Sequence, residues 1–259
     1  MKYLFKHQDK ILPKIKKSKN ILLFLDYDGT LTPIVSRPQD AKFSFSVKKL
    51  LKKLKKHPKF SLAIISGRSL KDVKAMVGID GLIYAGNHGL EVEAPFKVSV
   101  PDVTKAGSIL RQISLVLIRK LKDIEGVKVE NKTYTLSLHF RLVKPSKRKI
   151  VEGIFEETVK DFVDSKKIKV SSGKMVFEVR PPIKWGKGNI VLEILKKKKK
   201  SLVFYLGDDV TDEDAFKAIK LKGISIFVGP GKTKSRADYF LKNTKGVESF
   251  LKLLTSLEK

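Results

Sequence analysis

Two acidic clusters hold most of the chemistry that this sequence could perform. In the first, Asp26-Tyr27-Asp28-Gly29-Thr30, two carboxylates stand two residues apart, directly after the apolar run Ile21–Leu25. That spacing sends both from one strand end into the same crevice. Unpaired carboxylates in one crevice repel each other, so a cation is the expected partner. An all-oxygen donor set suits Mg²⁺, and Gly29 permits a sharp turn straight after the pair. The second cluster, Gly207-Asp208-Asp209-Val210-Thr211-Asp212-Glu213-Asp214, carries five carboxylates in the seven positions after its glycine, within a strongly basic chain. Glu213 and Asp214 suit a helix start, where acidic groups favour the dipole. Asp208 and Asp209 sit before the turn and are better placed for a metal.

Two weaker signals accompany these clusters. Ser66-Gly67-Arg68 follows the apolar run Phe60–Ile65. A hydroxyl and backbone N–H groups opening a helix there can hold an anion, although such a Ser-Gly is more often a simple helix cap. Lys184-Trp185-Gly186-Lys187-Gly188 precedes the helix leading to the second acidic cluster, which places a lysine at a helix start suited to phosphate. Gly86-Asn87-His88-Gly89 reads as a glycine-bounded turn with Asn in a left-handed conformation; Asn87 and His88 are also candidate ligand contacts. His139 has no second His or Cys nearby and is not metal-like. The lysine run 196–200 is most simply a solvated helix end.

The elements positioning these residues come in two styles. Ile21–Leu25, Phe60–Ile65, Gly81–Ala85, Leu202–Leu206 and Ile224–Val228 are short continuous apolar runs. Such runs read as strands buried on both faces, as in parallel sheets. Helical spacing over Val47–Leu54 and Asn189–Leu195 separates them, so the pattern implies an α/β fold with a doubly wound, mainly parallel sheet. Ligands in such folds bind beyond the carboxyl ends of the strands, where both acidic clusters fall. The middle of the chain alternates instead. Tyr134, Leu136, Leu138 and Phe140 point one way from a strand predicted over Thr133–Arg141, and Met175, Phe177 and Val179 do so over Lys174–Arg180. Period-two alternation means one sheet face on a core and one open. Amphipathic helices near Ile109–Leu121 and Ile150–Val163 are expected to cover the apolar face. The division is therefore 1–102 and 183–259 for the α/β domain, with an inserted smaller α+β domain over 103–182.

Composition narrows the class. The 259 residues carry no cysteine, so no disulfide framework is available. The N-terminal stretch is charged throughout, without a signal-peptide apolar core, and no window reaches the length of a membrane span. A cytoplasmic monomer with no membrane and no nucleic-acid partner is expected. The net charge is +28, from 55 Lys+Arg against 27 Asp+Glu. Such a field attracts phosphorylated substrates or nucleic acid. Only eight of those cations are Arg, the residue that dominates specific phosphate and base recognition, so most lysines read as solvated surface. A basic nucleic-acid-binding protein would leave the acidic strand ends unexplained.

Taken together these motifs resemble the haloacid dehalogenase superfamily. Asp26-Tyr27-Asp28-Gly29-Thr30 matches its first motif, Ser66 its second, Lys187 (better than Lys184) its third, and Asp208 with Asp209 or Asp212 its fourth; the insert looks like its larger α/β cap. More closely, the chain is similar to the trehalose-6-phosphate phosphatase family. Ile64-Ile65-Ser66-Gly67-Arg68-Ser69, Gly86-Asn87-His88-Gly89-Leu90-Glu91, the stretch from Lys174 to Pro181 and Gly207–Phe216 carry that likeness. The departures are Trp185-Gly186 before Lys187 and Asn189 after it. The resemblance implies a Mg²⁺-dependent phosphatase acting on trehalose 6-phosphate; sucrose phosphate or a glucosylglycerol phosphate is the alternative within the same chemistry. It implies Asp26 as nucleophile, Asp28 as acid and base, and Ser66 and Lys187 on the phosphoryl oxygens. It puts the metal on Asp26, the Asp28 carbonyl and Asp208, with Asp209 or Asp212 nearby. Arg68, Asn87, His88, Lys174, Glu178 and Arg180, with His139 and Arg141, are the expected contacts to a small phosphorylated disaccharide.

Overall fold

A computed structural model describes residues 1–173 and 175–257. The chain forms two compact units, Met1–Val100 with Trp185–Lys259, and Pro101–Lys184.

The first unit is built on strands β1 (Lys2–Tyr3), β2 (Ile21–Asp26), β3 (Phe60–Ile65), β4 (Ile83–Gly86) and β5 (Glu91–Glu93), joined later in the chain by three more. Every residue of β2 is buried. Ile21, Leu23 and Leu25 enter one core, and Leu22 and Phe24 enter the other. This is the two-faced burial that a continuous apolar run demands. Helices α1 (Gln8–Lys17), α2 (Phe45–Lys56) and α3 (Leu70–Val77) lay buried residues on the first core. Ser44 and Ser69 cap α2 and α3 by accepting backbone N–H bonds from Val47 and Asp72.

The second unit contains α4 (Thr104–Leu121), β6 (Lys128–Asn131), β7 (Leu136–His139), α5 (Pro145–Asp164), β8 (Lys169–Gly173) and β9 (Val176–Arg180). Its strands form an antiparallel sheet in the order β6-β7-β9-β8. Leu110, Ile113 and Leu117 of α4 and Val151, Phe155 and Val159 of α5 pack on its apolar face, where Phe155 stacks on Phe177 at 4.4 Å. Two expected strands are shorter than the alternation suggested. Thr133 (φ 71°) and Met175 (φ 63°) adopt left-handed backbone and belong to hairpin turns, so neither they nor Tyr134 extend a strand. Lys174 lies outside the described residues.

After the second unit come α6 (Lys187–Lys197), β10 (Leu202–Gly207), α7 (Glu213–Ile219), β11 (Gly223–Val228), β12 (Tyr239–Leu241) and α8 (Thr244–Ser256). The full sheet of the first unit runs β1-β12-β11-β10-β2-β3-β4-β5, parallel except for β5. Helices α6 and α7 cover the second core, while α8 joins α1, α2 and α3 on the first. The chain steps from β2 outward to β3 and β4, and β10 returns on the other flank of β2. That reversal is a topological switch point, and the crevice beyond it is where such sheets bind ligands. Among the described residues no helix is long and apolar enough to cross a membrane.

Candidate active site

Register alone brings the acidic clusters together. Leu25 pairs with Leu206, so Gly207 lies level with Asp26 and Asp208 one residue beyond. On the other flank Asp26 pairs with Ile65, which sets Ser66 beside it. Carboxylate oxygens of Asp26, Asp208 and Asp212 can all lie within 4.8 Å of one another. The Asp209 side chain is exposed and stands outside this group. Glycines make the crowding possible. A side chain at Gly29, where φ is +84°, would overlap the Asp208 carboxylate, and one at Gly207 would overlap that of Asp212. We expect Gly29→Ala to displace Asp208 and lower kcat/KM by about 100-fold. A steady-state assay across a Mg²⁺ titration checks this.

Lys187, the first residue of α6, reaches into the same cluster. Its Nζ donates to Asp26 Oδ1 at 2.7 Å and to Asp212 Oδ1 at 2.8 Å. Asp212 is fully buried, and four donors occupy its two oxygens. Oδ1 accepts from Lys187 and from the Tyr205 hydroxyl at 2.7 Å, and Oδ2 accepts the backbone N–H groups of Asp208 and Asp209 at 3.1 and 3.0 Å. A carboxylate oxygen offers about two acceptor directions, so Asp212 is saturated by protein groups. Its geometry suits holding the loop and Lys187.

Burial pushes the Asp26 carboxyl well above its usual range; Lys187 pulls it down, while Asp212 and Asp208 push it further up. Burial by itself would lower the Lys187 ammonium, but Asp212 and Asp26 overcome it and hold the group above the ordinary lysine range. Lys187 is therefore cationic. Carboxylate oxygens gathered in this way are the donor type a hard divalent cation takes. The residues present fit a divalent metal ion.

Asp28 points elsewhere. Both of its oxygens accept from Arg68, from Nε at 2.7 Å and from Nη2 at 2.6 Å. Arg68 also donates to the Pro38 carbonyl at 2.7 Å and lies over the Tyr27 ring at 5.4 Å. Arg68, expected as a substrate contact, pairs with Asp28 in this structure. Ser66 is buried, and its hydroxyl accepts the Arg68 N–H at 3.1 Å.

Asn87 and His88 brace the loop that follows β4. Both are buried with left-handed backbone. The Asn87 amide donates to Glu91, which also accepts the Leu70 N–H at 3.1 Å, and the Asn87 N–H donates to the Arg68 carbonyl at 2.7 Å. The His88 ring packs against Gly67, where a Cβ would come within 2.7 Å of Nε2. Trp185 donates from Nε1 to the Gly89 carbonyl at 3.0 Å, tying the start of α6 to the same loop.

In the second unit, Glu178 and Arg180 share the polar face of β9 and pair with each other. Two residues missed by sequence reasoning join them. Lys132 lies 3.4 Å from Glu178, and Glu130 meets His139 Nε2 at 3.0 Å. Arg141 stands just past β7, in the turn where its carbonyl accepts from Arg148 at 3.4 Å. The missing signal is understandable: β6 reads Lys-Val-Glu-Asn, with one apolar residue and no alternation to reveal a strand. The hydrogen bond from His139 holds Glu130 down at about 2, below its ordinary 4.5. A depressed carboxyl stabilises the fold above its unfolded pKa and loses that contribution as pH falls through the folded value. Stability should therefore decline from about pH 4.5 towards pH 2, and Glu130→Gln should flatten that part of a melting-temperature profile.

A doubly wound sheet with paired carboxylates, a serine and a lysine at adjoining strand ends is a haloacid dehalogenase-like fold. A haloacid dehalogenase-like hydrolase from B. subtilis shares the fold, at 16% identity with a TM-score of 0.56 over 89% of this chain and 98% of that one. The C-terminal domain of the C. albicans trehalose-6-phosphate phosphatase superposes with a TM-score of 0.80 at 25% identity, covering 96% of each chain. Probable trehalose-phosphate phosphatase D of Arabidopsis thaliana is 33% identical over 260 residues, spanning 94% of this chain and 69% of that protein. The family model for trehalose-phosphatase matches residues 24–245. The chain belongs to the trehalose-phosphatase family, and it is a phosphatase.

Proposed function

We propose that the chain hydrolyses trehalose 6-phosphate to trehalose and phosphate, with Asp26 taking the phosphoryl group. The observation that carries this is the convergence of Asp26, Asp208, Asp212 and Lys187 at the switch point, in a chain of this family. Asp26 attacks phosphorus in line, the bond to the sugar oxygen breaks, and an aspartyl phosphate forms on Asp26. Asp28 delivers a proton to the departing sugar oxygen, then accepts one from the water that attacks phosphorus and frees Asp26. Arg68 engages both oxygens of Asp28, so Asp28 must leave that pair to carry the proton. Lys187, with a third N–H to spare, and Ser66 hold phosphoryl oxygens as charge shifts.

Mg²⁺ would be held by Asp26, Asp208 and the Asp28 carbonyl, and when bound it neutralises phosphoryl charge. Asp212, with four protein donors on its two oxygens, is read as supporting that site from behind. Within the second unit, Glu130, Lys132, His139, Glu178 and Arg180 make a polar sheet face, the kind of surface that suits sugar hydroxyls. The +28 charge favours approach of a phosphate dianion.

The test is phosphate release from trehalose 6-phosphate, glucose 6-phosphate and sucrose 6-phosphate, with Mg²⁺ or with EDTA. A marked preference for trehalose 6-phosphate, lost in EDTA, is expected. Faster turnover of another sugar phosphate would overturn the substrate, and inactivity on all three would overturn the reaction.

A further inference from the structure

We infer that Tyr205 is a positioning residue, whose buried hydroxyl sets where the Lys187 ammonium stands between Asp212 and Asp26. The inference rests on the phosphoryl-transfer role proposed above for Asp26 and Lys187.

Tyr205 is fully buried in β10, two residues before the strand ends. Its ring lies 6.1 Å from Phe24 in a stacked arrangement and meets Phe216 edge-on at 5.6 Å. Both contacts fix the ring without using the hydroxyl. The hydroxyl donates to Asp212 Oδ1 at 2.7 Å, the same oxygen that accepts from Lys187 at 2.8 Å. Burial, followed by Asp212 and Asp26, keeps the phenol well above its ordinary range, so it acts only as a neutral donor.

Consider what that donor does. Lys187 is shared between two carboxylate oxygens, at 2.7 and 2.8 Å. Without the Tyr205 hydroxyl, Asp212 Oδ1 would have the ammonium as its one remaining partner. A buried carboxylate oxygen with a single partner attracts it more strongly. The ammonium would shift towards Asp212 and away from Asp26, where phosphoryl charge develops. The effect belongs to the transition state more than to substrate binding, so it should appear in kcat. A purely structural role predicts otherwise: a buried tyrosine commonly finds a partner for its hydroxyl, and losing it would then lower stability alone.

The two cases separate in Tyr205→Phe, which keeps the ring and removes the donor. With Mg²⁺ and trehalose 6-phosphate, we expect kcat to fall by about 10- to 100-fold, as for loss of a hydrogen bond to a charged group. KM should stay within about threefold. Binding of orthovanadate with Mg²⁺, followed by calorimetry, should weaken by a factor similar to the loss in kcat. Phe250→Leu is the packing control, because Phe250 lies in the other core against Phe204 at 5.5 Å. It should lower the melting temperature at least as much and leave kcat unchanged. Tyr205→Leu supplies a second variant without the hydroxyl and should share the loss in kcat. The inference is overturned if Tyr205→Phe keeps kcat and orthovanadate affinity within about twofold of wild type. It is also overturned if Phe250→Leu loses turnover in step with its stability. A wild-type protein inert towards trehalose 6-phosphate would sink the substrate assignment instead; Tyr205 would then be judged on orthovanadate binding, which needs no turnover.

Discussion

Asp26→Asn should yield a folded protein whose turnover is lower by about 10⁴-fold or more. The amide is nearly isosteric, and its oxygen can still accept from Lys187. It cannot attack phosphorus, and it removes one of the negative charges that a metal would bridge. The same change should not destabilise the fold. Burial raises the Asp26 carboxyl well above its usual range, so its folded pKa exceeds its unfolded one. A carboxyl shifted that way weakens the folded state at neutral pH, where it must ionise against its surroundings. In the absence of metal, the melting temperature of Asp26→Asn at pH 7 should therefore equal or exceed that of wild type. A variant both inactive and strongly destabilised would place Asp26 in the core's support and remove it from the reaction.

Lys187→Met should do the opposite, harming fold and function together. Lys187 is 3% exposed and compensates Asp26 and Asp212 at once. Removing one partner of a buried ion pair leaves uncompensated charge, at a cost of about 3–5 kcal/mol. Chemical denaturation should show a loss of that size at neutral pH. The loss should shrink when Mg²⁺ is added, because a cation beside Asp26 and Asp208 restores part of the missing positive charge. Turnover should fall by about 10³-fold even at saturating Mg²⁺, since the ammonium's contact to the phosphoryl group has no substitute. Met fills similar volume, so a cavity does not confuse the result. Full stability without added metal would mean that the ammonium is not the compensating charge.

These two residues also mark how far the sequence could be read. Asp26 and Asp28 were legible because their meaning is local: a short apolar run, two carboxylates on one strand end and a glycine. The sheet was legible for the same reason, since β2, β3, β4, β10 and β11 are all apolar runs of the kind that both-sided burial requires. Lys187 was visible only through its place in the wiring, because one lysine among so many carries no signal of its own. What could not be read depends on convergence. Asp209 and Asp212 are equivalent as letters; the difference arises because Gly207 lets the chain fold Asp212 back beneath its own loop, against Tyr205 and Lys187. Tyr205 looked like one more apolar strand residue, and only the partner of its hydroxyl distinguishes it. Arg68 and Asn87 were read as ligand contacts; that they also pair with Asp28 and Glu91 depends on separate elements and was not legible. In the second unit, Thr133 and Met175 fitted the alternation but sit in turns, because hairpins must reverse somewhere and period-two patterning does not mark the spot.

The central claim, a phosphoryl group carried covalently on Asp26, is tested most directly by trapping it. Enzyme turning over trehalose 6-phosphate with Mg²⁺ would be acid-quenched, and its acyl phosphate reduced with borohydride, which converts a phosphorylated aspartate to homoserine. Peptide mass spectrometry should then find homoserine at position 26, dependent on both substrate and Mg²⁺, and at no other aspartate. Phosphate released at full rate with Asp26 unmodified, or homoserine at Asp208 or Asp212 in its place, would contradict the mechanism.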